Sequence, residues 1–148
     1  MKIGLACDHR AFKTKEKLKS MLKDYEIEDY GCFSEERTDY PLYAFKVSEA
    51  VIKKKIDLGI AICGTGIGMS IACNKVKGIR CAKVDNKNEA KSAKEHNNAN
   101  VLAFSAQSHS AKDIKKMIDI FVNSTLLADS CYKMRIEQVE KYEASGEY

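Results

Sequence analysis

Three glycines in five residues follow a cysteine in Cys63-Gly64-Thr65-Gly66-Ile67-Gly68. The residues before it, Leu58-Gly59-Ile60-Ala61-Ile62, are apolar throughout, the pattern of a central strand covered on both faces. Met69 to Val76 then fit a short helix. A strand, a glycine turn and a helix in succession make an anion cradle. The glycines let a ligand approach the backbone, and the helix N-terminus presents free N–H groups and a positive dipole. Shaping a tight turn is the plainer role for the glycines, and core packing the plainer role for the thiol. A cysteine beside a helix N-terminus, however, stands where the thiolate is favoured. Asp8-His9 and Asp85 also end apolar runs, and in an open parallel sheet the sites form at such carboxyl ends.

Three chemistries use a loop of this kind. Dinucleotide binding fits Asp85, which lies 21 residues past Gly64 where a ribose-binding acid is expected. The glycines, though, run GxGxGx and not GxGxxG, with Met69 in the third glycine's place, and no room remains for a substrate domain. A cysteine phosphatase needs an arginine shortly after its nucleophile to grip phosphate. The next arginine is Arg80, beyond the whole following helix, so that reading fails. The third chemistry makes the loop an oxyanion and sugar cradle with Cys63 as a proton-transfer base. Isomerising an aldose to a ketose requires removal of a proton alpha to a carbonyl and stabilisation of an enediolate. A base tuned near neutral pH and preorganised N–H donors meet both needs, with no metal or organic cofactor. A non-catalytic metabolite-binding module is the alternative outside the enzymes.

The elements that must position these residues alternate strand and helix along the chain. Lys2–Ala6 is a short strand ending at Asp8-His9, followed by a helical stripe of Phe12, Leu18, Met21 and Leu22. Glu26–Tyr30 is a second strand. Asp39 or Tyr40 then caps a helix that carries the only proline, Pro41, in its first turn. Ile79–Val84 is a fourth strand, Asn86 to Glu95 a polar helix, and Val101–Phe104 a fifth strand. Ile114, Met117, Ile118, Phe121 and Val122 form a strong helical stripe, and a last helix spans about Tyr132 to Ala144. Five strands alternating with helices predict an α/β protein, a parallel sheet between helix layers. The whole chain, 1–148, reads as one such domain, with no internal repeat or linker.

Composition narrows the classes. At 148 residues, 45% hydrophobic and 31% charged, the sequence is that of an ordinary globular domain. It has no apolar run near the roughly 20 residues of a membrane span and no signal-peptide pattern, so a cytoplasmic protein is expected, with no membrane partner. Its six cysteines form no CxxC pair and no zinc spacing, which predicts reduced thiols. The net charge of +4 is carried by lysines spread over several helices, with only four arginines, so nucleic acid is not the expected partner.

Taken together, the motifs resemble the ribose-5-phosphate isomerase type B family, which also includes galactose-6-phosphate and allose-6-phosphate isomerases. They are Cys7-Asp8-His9, Glu36-Arg37-Thr38-Asp39-Tyr40-Pro41, the Ile62–Gly68 loop, Ala72-Cys73-Asn74-Lys75, Gly78-Ile79-Arg80, and His96-Asn97 leading to Asn100–Phe104, and they cover nearly the whole chain. The resemblance implies a Rossmann-like three-layer αβα sandwich with an extra C-terminal helix. It implies that Cys63 moves the proton between C1 and C2 while the amides of Gly64, Gly66, Ile67 and Gly68 hold the enediolate. His96, assisted by Thr65, would open the furanose ring. Asp8 and Asn97 would bind sugar hydroxyls, Tyr40 would line the pocket, and His9 and Arg135 would contact the phosphate. Family members are homodimers or homotetramers whose sites are shared between subunits.

Chain order alone points to the same sharing. His96 closes a helix and precedes a strand, which puts it toward the amino edge of the sheet, whereas Cys63 is at a carboxyl edge. His96 and the helix carrying Arg135 are therefore expected to serve a partner chain's Cys63. The sequence departs from the family at the phosphate end. Cys131 and Gln107 stand where arginines are common, which leaves His9 and Arg135, with Lys133 as a possible substitute. The expected reaction interconverts ribose 5-phosphate and ribulose 5-phosphate in the pentose phosphate pathway, the alternative being a six-carbon sugar phosphate such as allose or galactose 6-phosphate.

Overall fold

The computed structural model describes residues 1–148, the side chain of Ser130 excepted. Five strands form the sheet: β1 (Lys2–Cys7), β2 (Glu26–Asp29), β3 (Leu58–Cys63), β4 (Cys81–Lys83) and β5 (Val101–Ser105). The helices are α1 (Phe12–Met21), α2 (Tyr40–Ile52), α3 (Ile67–Cys73), α4 (Lys87–Glu95), α5 (Ala111–Val122) and α6 (Ser130–Ser145). The strand order is β2-β1-β3-β5-β4, and every pairing is parallel. Strands are added outward in opposite directions from β1 and β3, and the carboxyl ends of this parallel pair open side by side, the place where such sheets bind ligands.

Side-chain size sorts the two faces. Ile3, Leu5, Ile60, Ile62, Leu102 and Phe104 pack with α1, α4 and α5, including Ile114, Met117, Ile118 and Phe121 of the expected stripe. The other face carries Ala6, Ala61, Cys63 and Ala103, small residues against Ala44, Val47 and Ala50 of α2 and Met69 and Ala72 of α3. Cys63 therefore points into the α2/α3 layer.

Local chemistry trims several elements. Helix α3 stops at Cys73 and not Val76, because the Asn74 amide bridges Ser70 O at 3.0 Å, Cys81 O at 2.9 Å and Cys81 N–H at 2.8 Å and turns the chain there. The same bridge draws the chain in at β4, which is shorter than the apolar run Ile79–Val84. Asp39 precedes α2 without a side-chain cap bond, leaving Pro41 in the first turn as the starting signal. Asn86 and Ser110 cap α4 and α5 by accepting from Glu89 N–H and Asp113 N–H. Helix α6 begins earlier than the expected Tyr132, at Ser130, because Asp129 accepts from Cys131 N–H at 2.9 Å. Glu140 and Glu143 then hold α6 to Arg80 at 2.9 Å and to Gly78 N–H at 2.8 Å. Among the described residues, no helix is long and apolar enough to cross a membrane.

One buried charge ties α1 to the sheet. Lys15 is fully buried, and its ammonium donates to both Asp29 oxygens at 2.6 and 2.8 Å and to Cys32 O at 2.8 Å. Burial alone would push the Asp29 carboxyl up, but bonds from Lys15, Gly31 N–H and Lys19 outweigh it and hold the carboxyl below its usual range. This stabilisation is fully present above the unfolded carboxylate value of about 3.9 and is lost as pH falls through the folded value. Asp29→Asn leaves a buried ammonium with a weaker acceptor and is expected to cost about 3 kcal/mol, read as a lower urea midpoint at neutral pH. The gap between variant and parent should close on acidification.

Candidate functional site

The glycine loop leaves β3 and lies across the end of β5. Ala106 N–H donates to Cys63 O at 2.9 Å, Gln107 N–H to Gly64 O at 3.0 Å and the Ser105 hydroxyl to the same Gly64 O at 2.8 Å. Gly66 closes the turn with φ +77, and a Cβ there would stand 2.9 Å from the Phe104 carbonyl carbon. Only glycine satisfies both the left-handed backbone and that approach. Over Gly68 the Tyr40 ring is so close that a Cβ would meet it at 2.8 Å.

This fold of the loop decides which amides remain for a ligand. Gly66 N–H donates to Cys63 Sγ at 3.1 Å, and Ile67 N–H to Thr65 Oγ1 at 3.3 Å. The N–H groups of Gly64, Thr65 and Gly68 have no partner among the described residues. Cys63 is only 5% exposed, at the floor of the loop, while Thr65 is exposed at its rim. Cys7 packs on the other face of the sheet, where burial, then the Cys32 thiol 3.6 Å away, push its thiol far up.

β1 delivers the neighbouring groups. Asp8 N–H donates to Ile62 O at 3.2 Å, which fixes Asp8 beside Cys63 at the strand ends. Asp8 Oδ1 accepts from Arg10 N–H and Ala11 N–H at 3.0 and 3.2 Å, building a one-turn 3-10 helix at His9–Ala11 and leaving Oδ2 for a ligand. His9 Nδ1 sits between Thr38 O at 3.0 Å and Thr38 N at 3.3 Å, so its Nε2 is the free ring nitrogen.

A second group lies at the opposite, amino edge of the sheet. A cleft of about 540 Å³ is lined by His96, Asn97, Tyr132 and Arg135 together with Arg80 and Cys81 at the start of β4. His96 follows α4 and stacks flat on Tyr132, with centroids 4.5 Å apart and planes 5° apart. The Asn97 amide reaches back to Ser92 O at 3.4 Å, so its oxygen is unengaged. Arg135 faces the same cleft, one turn along α6 from Tyr132. Lys133 lies two residues from Arg135, about 200° around the helix, and is not among the cleft residues.

The structure thus brings Cys63, Thr65, Asp8, His9, Tyr40 and the loop glycines together. It gathers His96, Asn97 and Arg135 elsewhere, and it leaves Lys133 with neither group. Two residues escaped sequence reasoning. Ser105 is the register partner of Cys63, a signal visible only once β3 and β5 are known to be neighbours. Tyr132 stands one helical turn before Arg135, a spacing that was available. No group of three His, Cys, Asp or Glu side chains among the described residues is placed to hold a metal ion.

A sequence model of the family described as Ribose/Galactose Isomerase matches residues 3–139. The chain belongs to that family. Its relatives include ribose-5-phosphate isomerase B of Escherichia coli, 40% identical over 125 residues that cover 83% of this chain and 84% of the relative. A galactose-6-phosphate isomerase subunit of Clostridium acetobutylicum is 38% identical over 126 residues, covering 84% and 73%. The solved ribose-5-phosphate isomerase B of Clostridium thermocellum superposes with a TM-score of 0.94 at 36% identity, covering 99% of this chain and all of that one. The family member described here is accordingly an isomerase, on a Rossmann-like α/β fold with an added C-terminal helix.

Gly66→Ala tests the loop geometry. The strained left-handed residue alone costs about 1–3 kcal/mol, and displacing the loop from β5 should lower isomerase turnover by at least about tenfold. Thermal melting and turnover measured together check both effects.

Proposed function

We propose that the chain interconverts ribose 5-phosphate and ribulose 5-phosphate through an enediolate, with Cys63 as the base. The observation that carries this reading is the Gly66 N–H aimed at Cys63 Sγ inside a loop where the Gly64, Thr65 and Gly68 amides are free among the described residues. The sulfur takes the proton from C2 of the aldose and returns it to C1. Negative charge develops on the C1 oxygen as the proton leaves and passes to the C2 oxygen when the hydroxyl proton moves from O2 to O1, and the free N–H groups of Gly64, Thr65 and Gly68 stabilise that charge without reorganising. Asp8 Oδ2 accepts a sugar hydroxyl, Tyr40 walls the pocket, and His9 Nε2 reaches toward the phosphate.

A furanose must open before its C2 proton becomes acidic, and His96 is the group for that step. It lies at the other edge of the sheet from its own Cys63, so each complete site takes its Cys63 loop from one chain and His96, Asn97 and Arg135 from a second copy. Exposed Leu42, Phe45, Ile67 and Ile71 on α2 and α3, beside the loop, give that copy an apolar surface to cover. The galactose-6-phosphate isomerase relative supports a second reading, a six-carbon sugar phosphate as substrate.

An isomerase assay on ribose, allose and galactose phosphates separates the two, and ribose 5-phosphate is expected to give the highest kcat/KM. Cys63→Ala should lower that activity by about 10²–10⁴-fold, the usual contribution of a general base. Mixing inactive Cys63→Ala and His96→Ala proteins should restore part of the activity. No recovery after subunit exchange would contradict the shared site.

A further inference from the structure

We infer that Arg10 is a substrate-binding residue, a guanidinium that grips the phosphate of the sugar beside the Cys63 loop. The inference rests on the reading of that loop as a sugar-phosphate site. Arg10 lies in the 3-10 turn after β1, its own N–H anchored at 3.0 Å to Asp8 Oδ1, so its backbone is fixed next to His9. Its side chain runs over the residue that follows Cys63. A Cβ built on Gly64 would meet Arg10 Cδ at 3.2 Å and Nη1 at 3.6 Å, and Gln107 Nε2 at 3.1 Å.

Arg10 and Gln107 therefore lean over the same Cα from opposite strands, β1 and β5. The guanidinium is exposed and makes no hydrogen bond or ion pair among the described residues, in contrast to Arg80, which is spent on Glu140 and Asn98. The Gln107 amide N–H₂ is likewise unengaged, and His9 Nε2 is free on the same turn as Arg10. A planar fork of donors and an amide donor over Gly64, with an imidazole nitrogen on the neighbouring residue, match a dianionic phosphate. Arg10 thus supplies from the first strand end the charge that Gln107, at the fifth, does not carry. Glycine at position 64 is part of the device, because a side chain there would push both donors aside.

The test compares wild type, Arg10→Ala, Arg10→Lys and the double variant Arg10→Ala with Gln107→Arg. Arg10→Ala should raise KM for ribose 5-phosphate about 10- to 100-fold, the range of a charge-assisted contact, with kcat moving much less. Its preference for ribose 5-phosphate over free ribose should fall by the same factor. Lysine should restore part of the loss, and the double variant most of it, since it places a guanidinium over the same Gly64. Calorimetric titration with inorganic phosphate reads the contact without turnover, and binding should weaken in Arg10→Ala and return in the double variant. Unchanged KM and unchanged phosphate binding in Arg10→Ala would overturn the assignment. So would an equal loss on ribose and ribose 5-phosphate. A wild type that binds phosphate through Arg10 but isomerises no sugar phosphate would fault the reaction assigned to the loop and uphold Arg10 as an anion ligand.

Discussion

The site depends on one seam, the run of hydrogen bonds that lays the glycine loop across the end of β5. Three bonds, from Ala106 N–H, Gln107 N–H and the Ser105 hydroxyl, take up the carbonyls of Cys63 and Gly64. With those carbonyls turned into the sheet, the peptide N–H groups on the other side of the loop face outward. Gly66 makes the seam possible by letting the backbone pass within van der Waals contact of Phe104. The loop is thus a rigid continuation of the sheet, and the donors are set in place before any ligand arrives, which is where electrostatic stabilisation of a transition state is most effective.

The same economy of space explains the unequal faces of the sheet. Alanines and Cys63 on one face let α2 and α3 pack close, which brings Tyr40 over Gly68. The large aliphatic residues of the other face carry the core, and the Lys15–Asp29 pair fixes α1 there. The heavy core thus lies on the α1/α4/α5 side, and the Cys63 sulfur lies on the thinner side. One of the Asp8 oxygens builds the turn that presents His9 and Arg10, and the other has no partner among the described residues.

Much of this was legible in the residues. The apolar run Leu58–Ile62 and the glycine spacing located the loop, and the order of elements located His96 on the far edge, because strand and helix direction follow directly from a parallel alternation. The resemblance to the type B isomerases named the remaining residues. Side-chain direction was harder to read. Lys133 was close to Arg135 in sequence, but two residues on a helix are nearly opposite in space. The pairing of β3 with β5, skipping β4, was also hidden, and with it the role of Ser105 and the meeting of Arg10 with Gln107 over Gly64. Long-range register depends on the packing of the whole sheet, which no local pattern encodes. The split of the loop amides, with Gly66 turned to the sulfur and Gly64 and Gly68 left free, likewise needed the actual turn.

The central claim is that Cys63 moves a proton, which is a claim about exchange with solvent. Nuclear magnetic resonance of the reaction run in deuterium oxide tests it directly. A thiol base that trades its proton with water during the enediolate's lifetime predicts deuterium at C2 of the aldose and at C1 of the ketose, and Cys63→Ala should bind the sugar phosphate with no such label. Label entering as fast in Cys63→Ala as in the parent protein would contradict the account, because some other group would then be the base.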